Sequence, residues 1–587
     1  MKDKNEVWQL KKVDDRVITK LSDRLDISRI TARILANRGY DDPKRLKDFL
    51  DCSLEKMHSP YLFTDMKRAV ARIEQAVDSV EKIVVYGDYD VDGITSTSLL
   101  LKYLRDLGAE VDFYIPNRLT EGYGLNKSAL KKLAAQNTDL IITVDCGIKA
   151  KEEVELANDL DLDMIITDHH TAPVELPAAE AVINPKRKDS SYPFVELAGV
   201  AVAFKLVQAL ALAKNGEKMP TAQKYLSLVT MGVVADIVPL RDENRIIVQA
   251  GIKQLSSLDK EEPGLFALAE VTGCLDKEIS TGHIGFGLAP RINACGRLGK
   301  PELGVELLLS KTYQEAKRLA QKLDDLNDRR QELSREMQEE AESLIAQMDL
   351  NEEWVFVLAA SHWHSGVIGN VASDLNEKYH RPVILIALED GIGKGSARSI
   401  SGFNIHDALL AQEDLLMAFG GHEQAAGLSI KEDMIPQLKD KLNQYAKDEL
   451  KAKDLVPQRR VDAAVDLKDL SFSVVQELNK LAPFGCGNPS PKLMVEGIEI
   501  SDYRLVGQGE NHLKLTAQDN EVRIDGIAFN QAGAKEKLDF RPKNISLLFS
   551  PEINCWQGEK KLQLKVDSIK VPINSALEKM FVKNREG

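Results

Sequence analysis

Between about residues 80 and 240, short runs rich in β-branched residues (KIVVYGD, EVDFYIP, DLIITVD, DMIITD and EAVINP) alternate with helical stretches such as STSLLLKYLRDLG and KSALKKLAAQN. Parallel strands need a helical crossover between them, so this alternation restricts the segment to a parallel sheet with helices on both faces. Ligands of such folds bind beyond the carboxyl ends of the strands. Three of the runs end in aspartate at that place: Asp88, Asp90 and Asp92 after the first, Asp145 after the third, Asp168 after the fourth. One sheet edge would gather them all.

The stretch Gly87–Gly93 sharpens this. Residues two apart in an extended segment point to one side, so the three carboxylates crowd and repel unless a cation lies between them. Asp168-His169-His170 adds a carboxylate and two imidazoles, a donor set that suits Mn²⁺ or another transition divalent better than Ca²⁺. Asp236, in VVADIVPL, follows another apolar, strand-like run. Singly, an aspartate after a strand is more often a helix N-cap, and paired histidines are more often surface or packing residues. Several such clusters within one α/β pattern favour bound ions.

Length and composition set limits on the rest. A chain of 587 residues exceeds one core, and the length prior gives roughly four domains. With 43% hydrophobic and 29% charged residues and no run of ~20 apolar residues, no membrane span is expected. The start MKDKNEVWQL has no apolar signal region. Six cysteines without C-x-x-C spacing argue against a disulfide framework or structural zinc, so a reducing cytoplasm is the expected location. The net charge of −14 argues mildly against nucleic acid, although bound ions offset aspartates and local basic patches outweigh the sum.

Thr312 to Met348 reads as one helix on the order of 55 Å long, with apolar positions from Leu319 to Met348 interrupted at Arg330. It is expected to bridge two domains with its stripe packed on one of them. A second α/β unit follows, with strands near WVFVLAA and PVILIAL and Gly-rich turns GIGKGSARS and GGHEQAAG. Beyond KAKDLVPQRR, short strands to about residue 572 indicate a small β-barrel, with the OB-fold the leading candidate. The expected organisation is an N-terminal helical segment 1–75, a catalytic α/β domain 76–311, the connecting helix 312–349, a smaller α/β domain 350–452, the barrel 457–572 and a tail 573–587. Two α/β domains joined by a rigid helix would leave a groove between them.

The motifs GDYDVDG, VDCG, TDHH and VADIVPL, followed by APRINACGRLG, SHWHSGVIGNVA, GKGSARS and GGHEQAAGL, resemble the DHH/DHHA1 phosphoesterases over about residues 80 to 570. The likeness is greatest to their single-strand-specific 5′→3′ DNA exonucleases. It implies a DHH domain, a long helix, a DHHA1 domain and an OB-like domain. It implies a hydrolase degrading single-stranded DNA to mononucleotides in recombination and repair, with two Mn²⁺ or Mg²⁺ ions held by Asp90, Asp92, Asp145, His169 and Asp236, Asp145 bridging. Many relatives carry a histidine near Tyr86; Asp88 either replaces it or leaves that ion weakly held. Asp168 would orient a neighbouring ligand, and His170 would face the scissile phosphate to stabilise charge or donate a proton.

Arg118, Arg291, Arg297, Ser396 and Arg398 read as lying in Gly- or Pro-bounded turns, where guanidinium forks grip phosphate; surface salt bridges are the alternative, above all for Arg297. By resemblance these residues, with Asn293 and His422, bind the DNA backbone and the terminal 5′-phosphate. His362 and His364 would line the same cleft, with Trp363 in the core. In the barrel, Tyr503, Phe529, Phe549 and Trp556 either stack bases beside Arg504, Lys514, Arg523, Lys561 and Lys565 or fill the core. The implied partners are single-stranded DNA, a RecQ-type helicase and a single-strand-binding protein, and the chain is expected to be a monomer. Two rivals are a phosphodiesterase for short oligonucleotides or cyclic dinucleotides, which would lack the barrel tail, and a non-catalytic scaffold, which would have shed its aspartates.

Overall fold

Strands β1 (Lys82–Tyr86), β2 (Glu110–Tyr114), β3 (Leu140–Val144), β4 (Asp163–Thr167) and β5 (Ala181–Ile183) form a wholly parallel sheet in the order β2-β1-β3-β4-β5. This computed structural model describes residues 6–216, 220–275, 277–540, 542–556 and 558–572, so the expected tail at 573–587 lies outside the described residues. Tyr86 stands opposite Thr143, and Val144 opposite Thr167. The strands therefore end level, and Gly87, Asp145 and Asp168 leave the sheet at one edge.

Helix α1 (Val91–Asp106) starts at once after β1, capped by Asp90, whose Oδ1 accepts from the Gly93 amide at 3.0 Å. Its polar run Thr95, Ser96, Thr97 and Ser98 is fully buried. Each hydroxyl donates to the carbonyl four residues back, as Ser96 does to Asp92 at 2.6 Å, so no donor is stranded in the core. Helices α2 (Gly199–Asn215) and α3 (Leu226–Ala235) pack against α1. The run before Asp236, expected as a strand, is thus the end of helix α3, and Asp236 is its C-cap. A helix buried all round is apolar all round, and periodicity cannot separate a short stretch of it from a buried strand.

Glu243, fully buried, accepts from the His58 amide at 2.9 Å, from the Tyr192 hydroxyl and from the equally buried Lys205 ammonium. Removing one partner of a buried ion pair leaves the other charge uncompensated. Glu243→Ala is therefore expected to cost about 3–5 kcal/mol, read as a lower urea midpoint at unchanged slope. This knot also ties down the segment around His58. Residues 52–75, grouped by sequence with the N-terminal helices, bury Met57, Phe63 and Met66 in the catalytic-domain core, whereas Ile34, Leu35, Leu46 and Phe49 share a core with barrel residues. The chain accordingly divides into two units, 52–456 with 485–487, and the remainder. An amphipathic pattern shows that a helix buries a face and is silent on what covers it.

Helix α4 (Ala289–Arg297) leads by a short loop and helix to α5 (Tyr313–Ala346), whose 34 residues span about 51 Å. Its stripe is shared out rather than packed on one domain: Ala316, Leu319 and Leu323 join the first core, Met337, Ala341 and Ile345 the second. The interruption at Arg330 falls in the stretch between. In the second domain β6 (Phe356–Ala360), β7 (Val383–Glu389), β8 (Ile392–Arg398), β9 (Leu416–His422) and β10 (Ala425–Lys431) form a sheet ordered β9-β10-β8-β7-β6, in which only β6 and β7 run parallel. The Gly-rich segments expected as turns are β8 and the β9–β10 hairpin. On Gly393 a Cβ would stand 2.5 Å from Ile386 Cγ2, and on Gly395 2.8 Å from Leu428 Cγ; the glycines mark close packing inside a strand.

The barrel consists of β11 (Leu493–Val506), β12 (His512–Asp519), β13 (Val522–Ala528), β14 (Ile545–Trp556) and β15 (Glu559–Lys570), ordered β11-β12-β13-β15-β14 and closed by β11 pairing with β14. LMVEGIEI and YRLVG, expected as two strands, are one strand with a register shift between Ile500 and Asp502, a bulge that bends it. Phe549 is fully buried in the barrel core and so cannot stack bases. The Tyr503 hydroxyl donates to Asp539 at 3.0 Å, and Lys561 pairs with Glu559. Phe529 stays half exposed with Lys565 Nζ 6.0 Å from its ring, while the Trp556 side chain lies outside the described residues. Among the described residues no helix is long and apolar enough to cross a membrane.

Candidate metal centre

Because β1, β3 and β4 end level, their aspartates meet. Asp88, Asp92, Asp145, Asp168 and His169 are all buried there. His169 Nε2 lies 3.1 Å from Asp145 Oδ1, 3.7 Å from Asp236 Oδ2 and 3.9 Å from Asp92 Oδ2. Three sets of donor atoms gather within 4.8 Å of one another: Asp88 with Asp90 and Asp145, Asp92 with His169 and Asp236, and Asp145 with His169 and His170. Asp145 belongs to two of them. The backbone is bent to achieve this, with positive φ at Asp145 (60°) and at Ile237 (59°), the latter costly for a β-branched residue and of the kind that collects at functional sites.

Neighbouring elements hold the carboxylates in place. Asp92 accepts from the Gly199 and Val200 amides at 2.6 and 2.8 Å, at the positive end of α2. Only glycine fits at 199, because a Cβ would stand 2.6 Å from Asp145 Oδ1. Asp168 accepts from the amides of Ile148, His169 and His170 and from His170 Nδ1 at 2.7 Å. Burial works against the Asp168 carboxylate, yet these donors hold its pKa below the usual range, and the same contact keeps the His170 imidazole above its ordinary value despite burial.

The other carboxylates are in the opposite condition. Burial, then repulsion among themselves, pushes Asp92 up to about 7 and Asp236 up to about 9, and lifts Asp88 and Asp145 well above the carboxylate range. Burial and the neighbouring His170 lower His169 to about 3, leaving a neutral imidazole. Asp88 Oδ1, Asp145 Oδ1, Asp236 Oδ2 and His169 Nε2 are buried without a hydrogen-bond partner. Orphaned anionic and imidazole donors around one point are what divalent cations satisfy, so the residues present fit a pair of such ions.

The cluster opens into a pocket of about 330 Å³ bordered by Arg118, Tyr123, His170, Asn293 and Arg297. A second pocket of about 380 Å³ is bordered by Arg118, Ser365, Lys394, Ser396 and Arg398. Arg118 lies on both. Burial, then Arg118, Arg330 and Arg398 nearby, brings Arg297 down to about 10, and burial with Arg118 lowers Arg398. Among the described residues none of these four arginines has a carboxylate within ion-pair distance, although Asp374 acts on Arg330 and Asp90 on Arg297 from further off.

Not every sequence candidate joins these pockets. Arg291 and Arg297 sit on helix α4 rather than in a turn, and Arg291 is tied to Asp324 of α5 at 2.7 Å. His422, exposed on β9, lies outside both pockets. His362 pairs with Glu340 at 2.6 Å, and His364 Nδ1 accepts the Gly366 amide; Trp363 is buried. Two residues escaped the sequence reading. The Tyr123 hydroxyl lies 3.3 Å from His170 Nδ1, and Arg330, whose Nε is buried without a partner, was visible only as the break in the stripe of α5.

A parallel sheet with an Asp/His cluster for two ions, joined by a long helix to a second α/β domain bearing an arginine pocket, defines a two-ion phosphoesterase of the DHH/DHHA1 class. Family profiles agree: DHH family, N-terminal domain, at residues 82–233, DHHA1 domain at 352–448 and RecJ OB domain at 461–568. The chain belongs to the RecJ family. It is 39% identical over 561 residues to the single-stranded-DNA-specific exonuclease RecJ of Bacillus subtilis, covering 95% of this chain and 70% of that one, and 35% identical to that of Escherichia coli, covering 92% and 95%. RecJ from Thermus thermophilus in complex with Mn²⁺ superposes with a TM-score of 0.83 at 30% identity, over 98% of this chain and 81% of that one. An exonuclease RecJ bound to manganese gives 0.58 at 35% identity, over 67% and 98%.

Proposed function

We propose that this chain is a 5′→3′ exonuclease that removes mononucleotides from single-stranded DNA with two Mn²⁺ or Mg²⁺ ions. The observation that carries this is the position of Arg118 on both pockets: a phosphate gripped by unpaired arginines lies next to a carboxylate cluster suited to ions. Arg118, Ser396 and Arg398 bind the terminal 5′-phosphate, and the adjoining phosphodiester lies over the cluster. Asp88 and Asp90 would hold one ion and Asp92, His169 and Asp236 the other, with Asp145 sharing donor sets with Asp88 and Asp90 and with His169. When bound, such a pair activates water and stabilises charge growing on the phosphate. Asp168 is a positioning residue. It occupies His170 Nδ1, so Nε2 is the nitrogen left to donate toward the phosphate, and Asn293 and Arg297 line the same wall.

We further propose that this activity serves recombination and repair in the cytoplasm and is carried out by a monomer. A RecQ-type helicase and a single-strand-binding protein are the classes of partner that expose and present such a strand. Incubation of the purified chain and Mn²⁺ with single strands labelled at the 5′ or the 3′ end tests the reading. The 5′ label is expected to appear first as mononucleotide, while 3′-labelled strands shorten stepwise. Early release of the 3′ label, or cleavage confined to dinucleotides, would replace it.

A further inference from the structure

Phe286 is 91% exposed, the most exposed large apolar side chain among the described residues. It sits in a π-turn, Ile284–Leu288, that runs directly into α4. Such single π-helical turns are rare and frequently accompany functional sites. Counting from Phe286, Pro290, Asn293 and Arg297 follow at helical spacings of four, seven and eleven residues, which places them along one face. The opposite face, with Ile284, Leu288, Ile292 and Cys295, is buried. Asn293 and Arg297 at the far end border the ion pocket. Phe286 thus ends a half-buried track that begins at the ion pocket, roughly 16 Å away at 1.5 Å per residue.

A phenyl left in water costs apolar exposure that burial in the core would have avoided, and a Cβ placed on flanking Gly285 would meet nothing within 4 Å, so the space beside the ring is open. The occupant that fits is the face of a nucleobase, since every base has one and stacking on an aromatic ring needs no sequence. We propose that Phe286 is a base-stacking residue for the incoming single strand, about two to five nucleotides on the 3′ side of the scissile phosphate, taking about 3.4 Å per stacked nucleotide and roughly twice that when extended. This rests on the single-strand exonuclease reading above and adds to it a binding position outside the ion and phosphate pockets. It gives the enzyme grip on a strand of any sequence and makes that grip depend on strand length.

The test uses the full chain with Mn²⁺ and 5′-phosphorylated oligothymidylates, from the dinucleotide to strands of about sixteen nucleotides. Wild-type cleavage of these substrates checks the exonuclease reading by itself. Phe286→Ala, a surface change, is expected to raise KM about tenfold on the longer strands and to leave the dinucleotide unchanged, while Phe286→Trp keeps wild-type values at every length. A second arm places one abasic nucleotide at successive positions: the wild type should lose affinity at one position within reach, and Phe286→Ala should lose none there. An equal loss at every length, or no loss at any, would overturn the assignment with the exonuclease reading intact.

Discussion

Asp145→Asn is expected to reduce turnover on single-stranded DNA by about a thousandfold or more, because in the function proposed above both ions would draw on this one carboxylate, which belongs to two of the three donor sets, and such ions contribute several kcal/mol to the barrier. Its oxygens lie among those of Asp88 and Asp90 on one side and 3.1 Å from His169 Nε2 on the other. DNA binding should persist, since the arginine pocket contains no part of Asp145. The same substitution should act oppositely on stability. In the ion-free chain burial, and then repulsion from Asp92, Asp90, Asp236 and Asp88, drives the Asp145 pKa up, so the amide removes both penalties and the melting temperature in EDTA should rise. Mn²⁺ is expected to stabilise the wild type by binding the folded state in preference to the unfolded, and that shift should largely vanish in the variant. Calorimetry with and without Mn²⁺, beside an end-labelled cleavage assay, checks both halves. Wild-type turnover, or an unchanged Mn²⁺ shift, would remove Asp145 from the ion site.

Arg398→Ala should lower kcat/KM on a 5′-phosphorylated strand by about tenfold to a hundredfold, the range for one lost hydrogen bond to a charged group. A 5′-hydroxyl strand should be cut almost as before. Arg398 Nη1 donates to the Ala397 carbonyl and to Ser396 Oγ, and Nε donates to Ser373 Oγ. The guanidinium is therefore fixed in orientation yet has no carboxylate partner, a planar fork awaiting an anion. Arg398→Lys should recover little, because an ammonium cannot reproduce that fork. The ratio of kcat/KM on phosphorylated and hydroxyl-terminated strands is the measurement. An equal fall on both would mean that Arg398 supports the fold of β8 and not the terminal phosphate.

The carboxylate–histidine cluster was largely legible in the sequence, and the pockets around it were not. Asp88, Asp90, Asp92, Asp145, Asp168 and the His169–His170 pair follow apolar runs of a parallel pattern, and parallel strands of similar length deliver their carboxyl ends to one edge whatever their order. Asp236 was found by its neighbours but placed on a strand, because VVAD reads alike at the end of a buried helix. Arg291 and Phe549 show the other limit. An arginine beside a proline and an aromatic in a short strand carry no mark of whether Asp324 or a barrel core awaits them, and Arg330 acquires meaning only where α5 passes from one core to the next.

By itself the sequence determined the local periods, the class of sheet they permit and the donor types at the strand tips, because these depend on residues close together in the chain. Tertiary structure alone decided which arginines stay unpaired, that Arg118 serves two pockets, and that Phe286 remains in water at the end of α4. Those outcomes depend on which distant surfaces exclude solvent and which charges find partners, and neither is encoded in any one segment.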